Sequence, residues 1–195
     1  EHEHYELLEL IDREIERISA IIHQMYQLYR RSPQRASTFS LSQVVVEVVY
    51  LLEGAAGKRG VKLQFETPNQ AIDVELAEGE VKQILYNLLR NAIQASPAGA
   101  AVELRIDEQG GYVIVNVADR GPGIPGEIAP RIFDPFFTTK HGASESGMGL
   151  GLSVSRSLIE AMGGRIEVSN RSDGGTIFSV VFPQRLEVLP VSSDE

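Results

Sequence analysis

Asp119-Arg-Gly-Pro-Gly-Ile-Pro125, Phe133-Asp-Pro-Phe-Phe-Thr-Thr-Lys140 and Gly147-Met-Gly-Leu-Gly-Leu152 follow one another in that order, and their reading decides the fold. The first piece places an acid and three turn-formers directly after residues 112–118, an apolar alternating run with the period of a strand. The last piece sets glycines at every second position, Gly147, Gly149 and Gly151, and leads into a helical pattern. Glycine admits positive φ and lets a ligand approach main-chain N–H groups. A helix that begins there turns its unpaired N–H groups and the positive end of its dipole toward an anion. Lys140, in the polar stretch between, is a point charge suited to phosphate. Together the pieces point to a nucleotide site with a mobile cover.

Two familiar phosphate loops are excluded. No Gly-Lys-Ser/Thr follows the glycines, so this is not a P-loop. A lid-like stretch rather than a strand precedes them, so it is not a dinucleotide fingerprint. The order acid-Gly-x-Gly, then Phe-Asp-Pro-Phe-Phe, then Gly-x-Gly-x-Gly resembles the ATP-binding domain shared by sensor histidine kinases, DNA gyrase, the heat-shock chaperone and MutL-type repair ATPases. The resemblance spans roughly residues 40–185. It implies an α/β fold, a two-layer sandwich in which helices cover one face of a mixed sheet of about five strands, with ATP and Mg²⁺ as ligands.

Composition bounds the rest. A chain of 195 residues, 43% of them apolar, can bury a core of ordinary size. Its net charge of −9 argues against a nucleic-acid surface, which needs clustered Lys and Arg. Without cysteine it has neither disulfides nor thiolate metal sites. No apolar run reaches the length of a membrane span, and no signal peptide is visible. We therefore expect a cytoplasmic location, whether or not a longer parent is membrane-anchored. The opening Glu-His-Glu-His lacks Met and reads as a cut end.

Residues 5–31 carry a seam of Leu8, Ile11, Ile15, Ile18, Ile22, Met25 and Tyr29 at alternating spacings of three and four. That is the rhythm of helices packed side by side, and Leu7, Ile21 and Leu28 widen it toward a four-helix bundle. Ser32-Pro33 ends the helix, because the residue before proline resists the α region. A lone helix of this length is marginal in water, so we expect a homodimer formed through it. The expected organisation is a bundle helix over 1–32, a polar linker over 33–40, an ATP-binding domain over 41–187 and a tail over 188–195. Within the domain we expect a helix capped by Ser40 or Ser42 and stopped by Gly60, strands at 61–66 and 72–76, and a helix at 80–95. Strands at 101–106 and 112–118, a helix at 151–162 and a hairpin of 165–170 with 176–182 complete it.

Asn87 and Asn91 stand four apart on the 80–95 helix, on one side of it and away from its leucines. Asparagine is a middling helix former, and two mid-helix suggest work for their side chains. An amide oxygen is a hard, neutral ligand suited to Mg²⁺. The resemblance makes Asn91 the metal ligand and puts Asn87 near the phosphates, with Lys140 as a third catalytic candidate. Hydrolases of the superfamily carry Glu at the position of Asn87, as the base that activates water. An amide cannot take that proton, so Asn87 favours phosphotransfer over hydrolysis. A carboxylate accepts but does not donate, so Asp119 can select the exocyclic amine of adenine. The resemblance gives it that role, with Gly121 and Gly123 alongside the base and Gly147, Gly149, Leu150 and Gly151 around the phosphates. Phe133, Phe136 and Phe137 are expected to anchor the lid to the domain, and residues 142–147 to be mobile until nucleotide arrives.

None of the histidines fits the phosphoacceptor pattern His-Glu/Asp-x-x-x-Pro/Asn. His2-Glu3 begins it, but Leu7 stands where Pro or Asn belongs; His4 precedes Tyr5, His23 precedes Gln24, and His141 sits in the lid. Residues 5–31 instead resemble the second helix of the dimerisation hairpin. The expected function is transfer of the ATP γ-phosphate to a histidine on a helix outside this chain, for relay to the aspartate of a response-regulator receiver domain. The alternatives are a non-catalytic nucleotide sensor or a module that promotes dephosphorylation, and further off an ATPase.

Overall fold

The computed structural model describes residues 36–66, 71–139 and 149–185. The helix expected over residues 5–31, all four histidines, Lys140 and Gly147 lie outside them. Seven strands and three helices run β1 (Ser37–Ser40), α1 (Leu41–Lys58), β2 (Lys62–Glu66), β3 (Asp73–Leu76), α2 (Glu78–Ala95), β4 (Ala101–Gln109), β5 (Tyr112–Ala118), α3 (Gly151–Ala161), β6 (Arg165–Asn170) and β7 (Thr176–Pro183), with a short 3₁₀ turn at Ala129–Arg131.

The main sheet has five strands in the order β2-β4-β5-β7-β6. Only β2 and β4 pair in parallel, so the sheet is mixed. Alternation does the sorting of its faces. Val102, Leu104 and Ile106 of β4, Val113, Val115 and Val117 of β5, and Phe178, Val180 and Phe182 of β7 all point inward. The residues between them, Glu103, Arg105, Asn116 and Ser179, form an outer polar face. All three helices cover the inner face, each with one apolar stripe. On α2 the stripe is Val81, Ile84, Leu85, Leu88, Leu89 and Ala92, as the periodicity predicts, joined by Ile93. The fold is the two-layer α/β sandwich expected.

The helix ends follow from local chemistry. Gly60 takes φ +68, and the Gly60 and Val61 N–H groups return to the Gly57 and Ala56 carbonyls, a Schellman stop for α1. Gly163 and Gly164 end α3 by the same pair of bonds, to Glu160 and Ile159. Ser96 stands before Pro97 with extended backbone and closes α2.

Three expectations need correction. Residues 37–40, expected as linker, form β1 and pair antiparallel with β3 in a separate two-stranded sheet. Ser40 occupies the N-cap position of α1, yet neither it nor Ser42 caps by side chain; the Leu41 N–H goes to the Ile72 carbonyl, and the Ser42 hydroxyl is buried with no partner among the described residues. Entry from a paired strand supplies by main chain what a capping hydroxyl would have supplied. Strand β4 runs three residues past the expected Ile106, because Gly110 and Gly111, both at positive φ, make the hairpin turn alone.

Candidate nucleotide site

Helix α2 is the spine of the site. Asn87, Asn91 and Ala95 lie at i, i+4 and i+8 and so form one row along it, about 12 Å from end to end at 1.5 Å per residue. At one end of the row is the N-terminus of α3. The Asn87 amide nitrogen donates to the Gly151 carbonyl and to the Ser155 hydroxyl, both at 3.3 Å. At the other end is the turn after β5, where a Cβ on Gly121 would meet the Ala95 carbonyl oxygen at 2.8 Å. The Asn91 side chain, between them and half-buried, makes no hydrogen bond among the described residues.

Asp119 is buried, 3% exposed, at the end of β5. Its Oδ1 accepts from the Gly121 N–H (2.8 Å) and the Thr176 N–H (3.1 Å), while its own N–H goes to the Thr176 carbonyl. Its Oδ2 has no hydrogen bond among the described residues. A carboxylate so placed has one oxygen that builds the turn and one left over. That second oxygen is not fully buried, and an unpaired acceptor within reach is suited to a ligand's donor.

The turn itself is pinned from several sides. The Arg120 N–H reaches the Ser96 hydroxyl at the end of α2 (3.3 Å). The Arg120 side chain pairs with Asp173 in the β6–β7 turn and with Glu103 on β4, which also holds Arg171. Arg120, and after it Arg171, hold the Asp173 carboxyl down at about 2; Asp173 in turn raises Arg120 above the ordinary guanidinium range. Farther along, Asn170 at the end of β6 accepts from the Ile124 N–H and donates to the Ile124 carbonyl, each at 2.8 Å.

At the α3 end of the row, Leu150 is the N-cap and no side chain among the described residues caps the helix. Its first N–H groups are therefore open to an anion. The Leu150 side chain is buried at 1% exposure, so only its backbone can serve a ligand. Gly149 has φ +68, and a Cβ there would meet the Phe137 carbonyl oxygen at 2.4 Å. Phe133 and Phe137 pack against the core, with Arg156 and Arg131 over their rings at 5.6 and 4.9 Å. Phe136 departs from expectation: it is 69% exposed at φ 65 and anchors nothing. Partly buried Phe133 and Phe137 already hold the segment to the core, which leaves Phe136 pointing outward.

The structure thus brings Asn87 to Gly151, Gly121 to Asp119 and the end of α2, and Gly123 against Asn170. A depression of about 570 Å³ lies instead on the outer polar face, lined by residues such as Arg105, Asn116 and Ser179, and shares none of Asn87, Asn91 and Asp119. Sequence reasoning missed Ser96, Ser155, Asn170 and Thr176. Nothing marks them locally, because each acts on a segment tens of residues away.

Comparison with known proteins bears on family and fold. Residues 77–186 match the model of the family described as histidine kinase-, DNA gyrase B-, and HSP90-like ATPase. The chain is 32% identical over 185 residues to sporulation kinase A of Bacillus subtilis, covering 94% of this chain and 30% of that protein. Sensor histidine kinase ZraS of Escherichia coli is 27% identical over 93% of this chain and 38% of its own length. Among solved structures, the catalytic domain of histidine kinase ThkA superposes with a TM-score of 0.72 at 35% identity, over 79% of this chain and 99% of that one. ThkA in complex with the response regulator TrrA gives 0.77 at 31% identity, over 92% and 51%. The chain spans well under half the length of these curated relatives.

Proposed function

The chain belongs to the family of histidine kinase-, DNA gyrase B- and HSP90-like ATPases, as an ATP-binding catalytic domain of the histidine kinase kind, and from that premise we propose that it binds Mg-ATP along α2 and delivers the γ-phosphate to a histidine. Adenine lies at Asp119 and the Gly121–Gly123 turn. The phosphates lie at Asn87, Asn91 and the start of α3, where Gly147, Gly149, Leu150 and Gly151 offer backbone N–H groups, and Lys140 supplies a cation. The acceptor histidine belongs to a dimerisation helix that none of His2, His4, His23 and His141 provides, and a response-regulator aspartate takes the phosphate from it. The protein works as a homodimer through residues 5–31.

One observation carries the reading: the leftover Oδ2 of Asp119, an unpaired acceptor still open to a ligand on a residue only 3% exposed, at one end of a row whose other end is a helix N-terminus with no side-chain cap among the described residues. An exocyclic amine satisfies the one and a phosphate the other, and the row between is of nucleotide length.

The residues fit Mg²⁺ bound together with nucleotide. No cluster of three His, Cys, Asp or Glu side chains gathers among the described residues. An ion here takes amide oxygen from Asn91, the one unpartnered amide of the row, and its remaining ligands from phosphates and water. When bound, it neutralises charge on the phosphates during transfer. The protein's own part is positioning. Asn87 holds α3 against α2 through its NH₂ donor, which a carboxylate at that position could not do, since it would face the Gly151 carbonyl with an oxygen. The site is therefore built for an amide and lacks the base a hydrolase needs.

The test is calorimetric titration of Mg-ATP and Mg-GTP into wild type and Asp119→Asn. We expect ATP but not GTP to bind, and the substitution to weaken ATP at least tenfold while the protein stays folded. Absence of ATP binding by folded wild type would sink the proposal. Steady multiple-turnover phosphate release, lost in Asn91→Ala, would move it to the ATPase class.

A further inference from the structure

The turn of residues 119–124 has an unusual support problem. Gly121 and Gly123 bring no side chains, and the segment has no strand neighbour to satisfy its main chain. Asp119 fixes the near end through its Oδ1. The far end is fixed at Ile124, whose side chain packs against the core. Asn170 completes that fixing from β6. Its amide accepts from the Ile124 N–H and donates to the Ile124 carbonyl, both at 2.8 Å, across 46 residues of sequence. This is the pair of bonds a neighbouring strand would make. Its space is shared with Gly123: at φ +78, a Cβ on Gly123 would stand 3.1 Å from the Asn170 Oδ1. The rest of the β6–β7 turn is equally close, since a Cβ on Gly175 would meet the Asp119 carbonyl oxygen at 2.1 Å.

We propose that Asn170 is a positioning residue for nucleotide binding, its side-chain amide serving as a one-residue strand that holds the Gly121–Ile124 turn in the shape that receives adenine. The inference rests on the nucleotide reading above. Without the clasp, Gly121–Ile124 keep only the near-end ties made by Asp119 and Arg120, and binding must order them. The cost falls on affinity, not on the chemical step, because Asn170 does not touch the phosphate end of the row.

The measurement is the affinity of the full chain for Mg-ATP and Mg-ADP in wild type, Asn170→Ala and Asn170→Asp, by calorimetry. It is paired with KM and kcat of phosphotransfer to a supplied acceptor protein and with hydrogen exchange at the Ile124 amide. Losing two solvent-accessible hydrogen bonds predicts affinity about three- to tenfold weaker. The loss should be equal for ATP and ADP, with KM raised, kcat at saturating ATP unchanged, and the Ile124 amide exchanging faster. Asn170→Asp keeps volume and acceptor but turns an oxygen toward the Ile124 carbonyl, so it should weaken binding at least as much. A merely structural role would lower kcat through a smaller active fraction and leave KM alone. Wild-type affinity in Asn170→Asp, or loss confined to kcat, overturns the proposal while leaving the nucleotide site standing. Should Asn170→Ala not fold, Asn170→Asp decides. Failure of wild type to bind ATP overturns the site and this inference together.

Discussion

At the scale of single residues, two glycines two positions apart have different reasons to be glycine. Gly149 is required by the fold: φ is +68, and a Cβ would drive into the Phe137 carbonyl. Gly151 has no such reason, since a Cβ there would meet only the Asn87 side chain, at 3.9 Å. In the first turn of a helix, alanine is the better residue by up to about 1 kcal/mol. What remains for Gly151 is close approach of a ligand to the backbone. Gly151→Ala should therefore keep or slightly raise the melting temperature while weakening Mg-ATP tenfold or more. Gly149→Ala should lower the melting temperature by several degrees, because αL backbone and a steric clash both count against it. Thermal unfolding beside calorimetry checks both. A Gly151→Ala protein that binds ATP as wild type would remove the phosphates from the start of α3. The sequence alone ranked these glycines together; only the φ angle and the neighbouring carbonyl separate them.

At the scale of elements, the β6–β7 turn and the turn after β5 act as one body, joined by Arg120 with Asp173 and by Asn170 with Ile124. Asp173 is exposed, so its shift to about 2 is a marker of geometry more than of stability. The sign follows from the depressed value: the pair is complete above the ordinary 3.8 and is lost as pH falls through about 2. Carbon-detected titration of the Asp173 carboxyl should give a midpoint near 2 in wild type, and in Arg120→Ala a midpoint moved up toward the ordinary value. An unmoved midpoint would mean that the two turns are not joined through Arg120. The elements themselves were legible in the sequence. The Val113-Val115-Val117 alternation, the α2 stripe and the Gly60 and Gly163 stops are local signals of period and backbone. The strand at residues 37–40 was not legible, because Ser-Thr-Phe-Ser offers too short an alternation to be told from linker, and its pairing partner lies more than thirty residues on. Asn87, Asn91 and Asp119 were legible as candidates through the order of motifs. Their supports, Asn170, Ser155 and Thr176, were not, for the bonds they make depend on strand order that no window of sequence contains.

At the scale of the whole molecule, the proposed nucleotide row and the seam of residues 5–31 lie in separate stretches of the sequence and should answer to different substitutions. The domain has its own core, built on α1, α2, α3 and the five-stranded sheet. On the proposed reading, Leu8, Ile11, Ile15, Ile18, Ile22, Met25 and Tyr29 pack against another helix rather than in that core. A seam of that rhythm is satisfied by a second copy. Charge at its centre is the sharpest probe, since a carboxylate between packed helices carries a desolvation cost that no partner there offsets. The double variant Ile15→Asp, Ile22→Asp should sediment as a monomer over a concentration range where wild type sediments as a dimer, with Mg-ATP affinity within about twofold of wild type, as independent sites require. The opposite outcome is equally readable. A wild type that is monomeric throughout, and a variant with a lowered melting temperature, would seat the seam on its own domain. There the exposed Val46, Tyr50 and Leu51 of α1 present an apolar face to receive it.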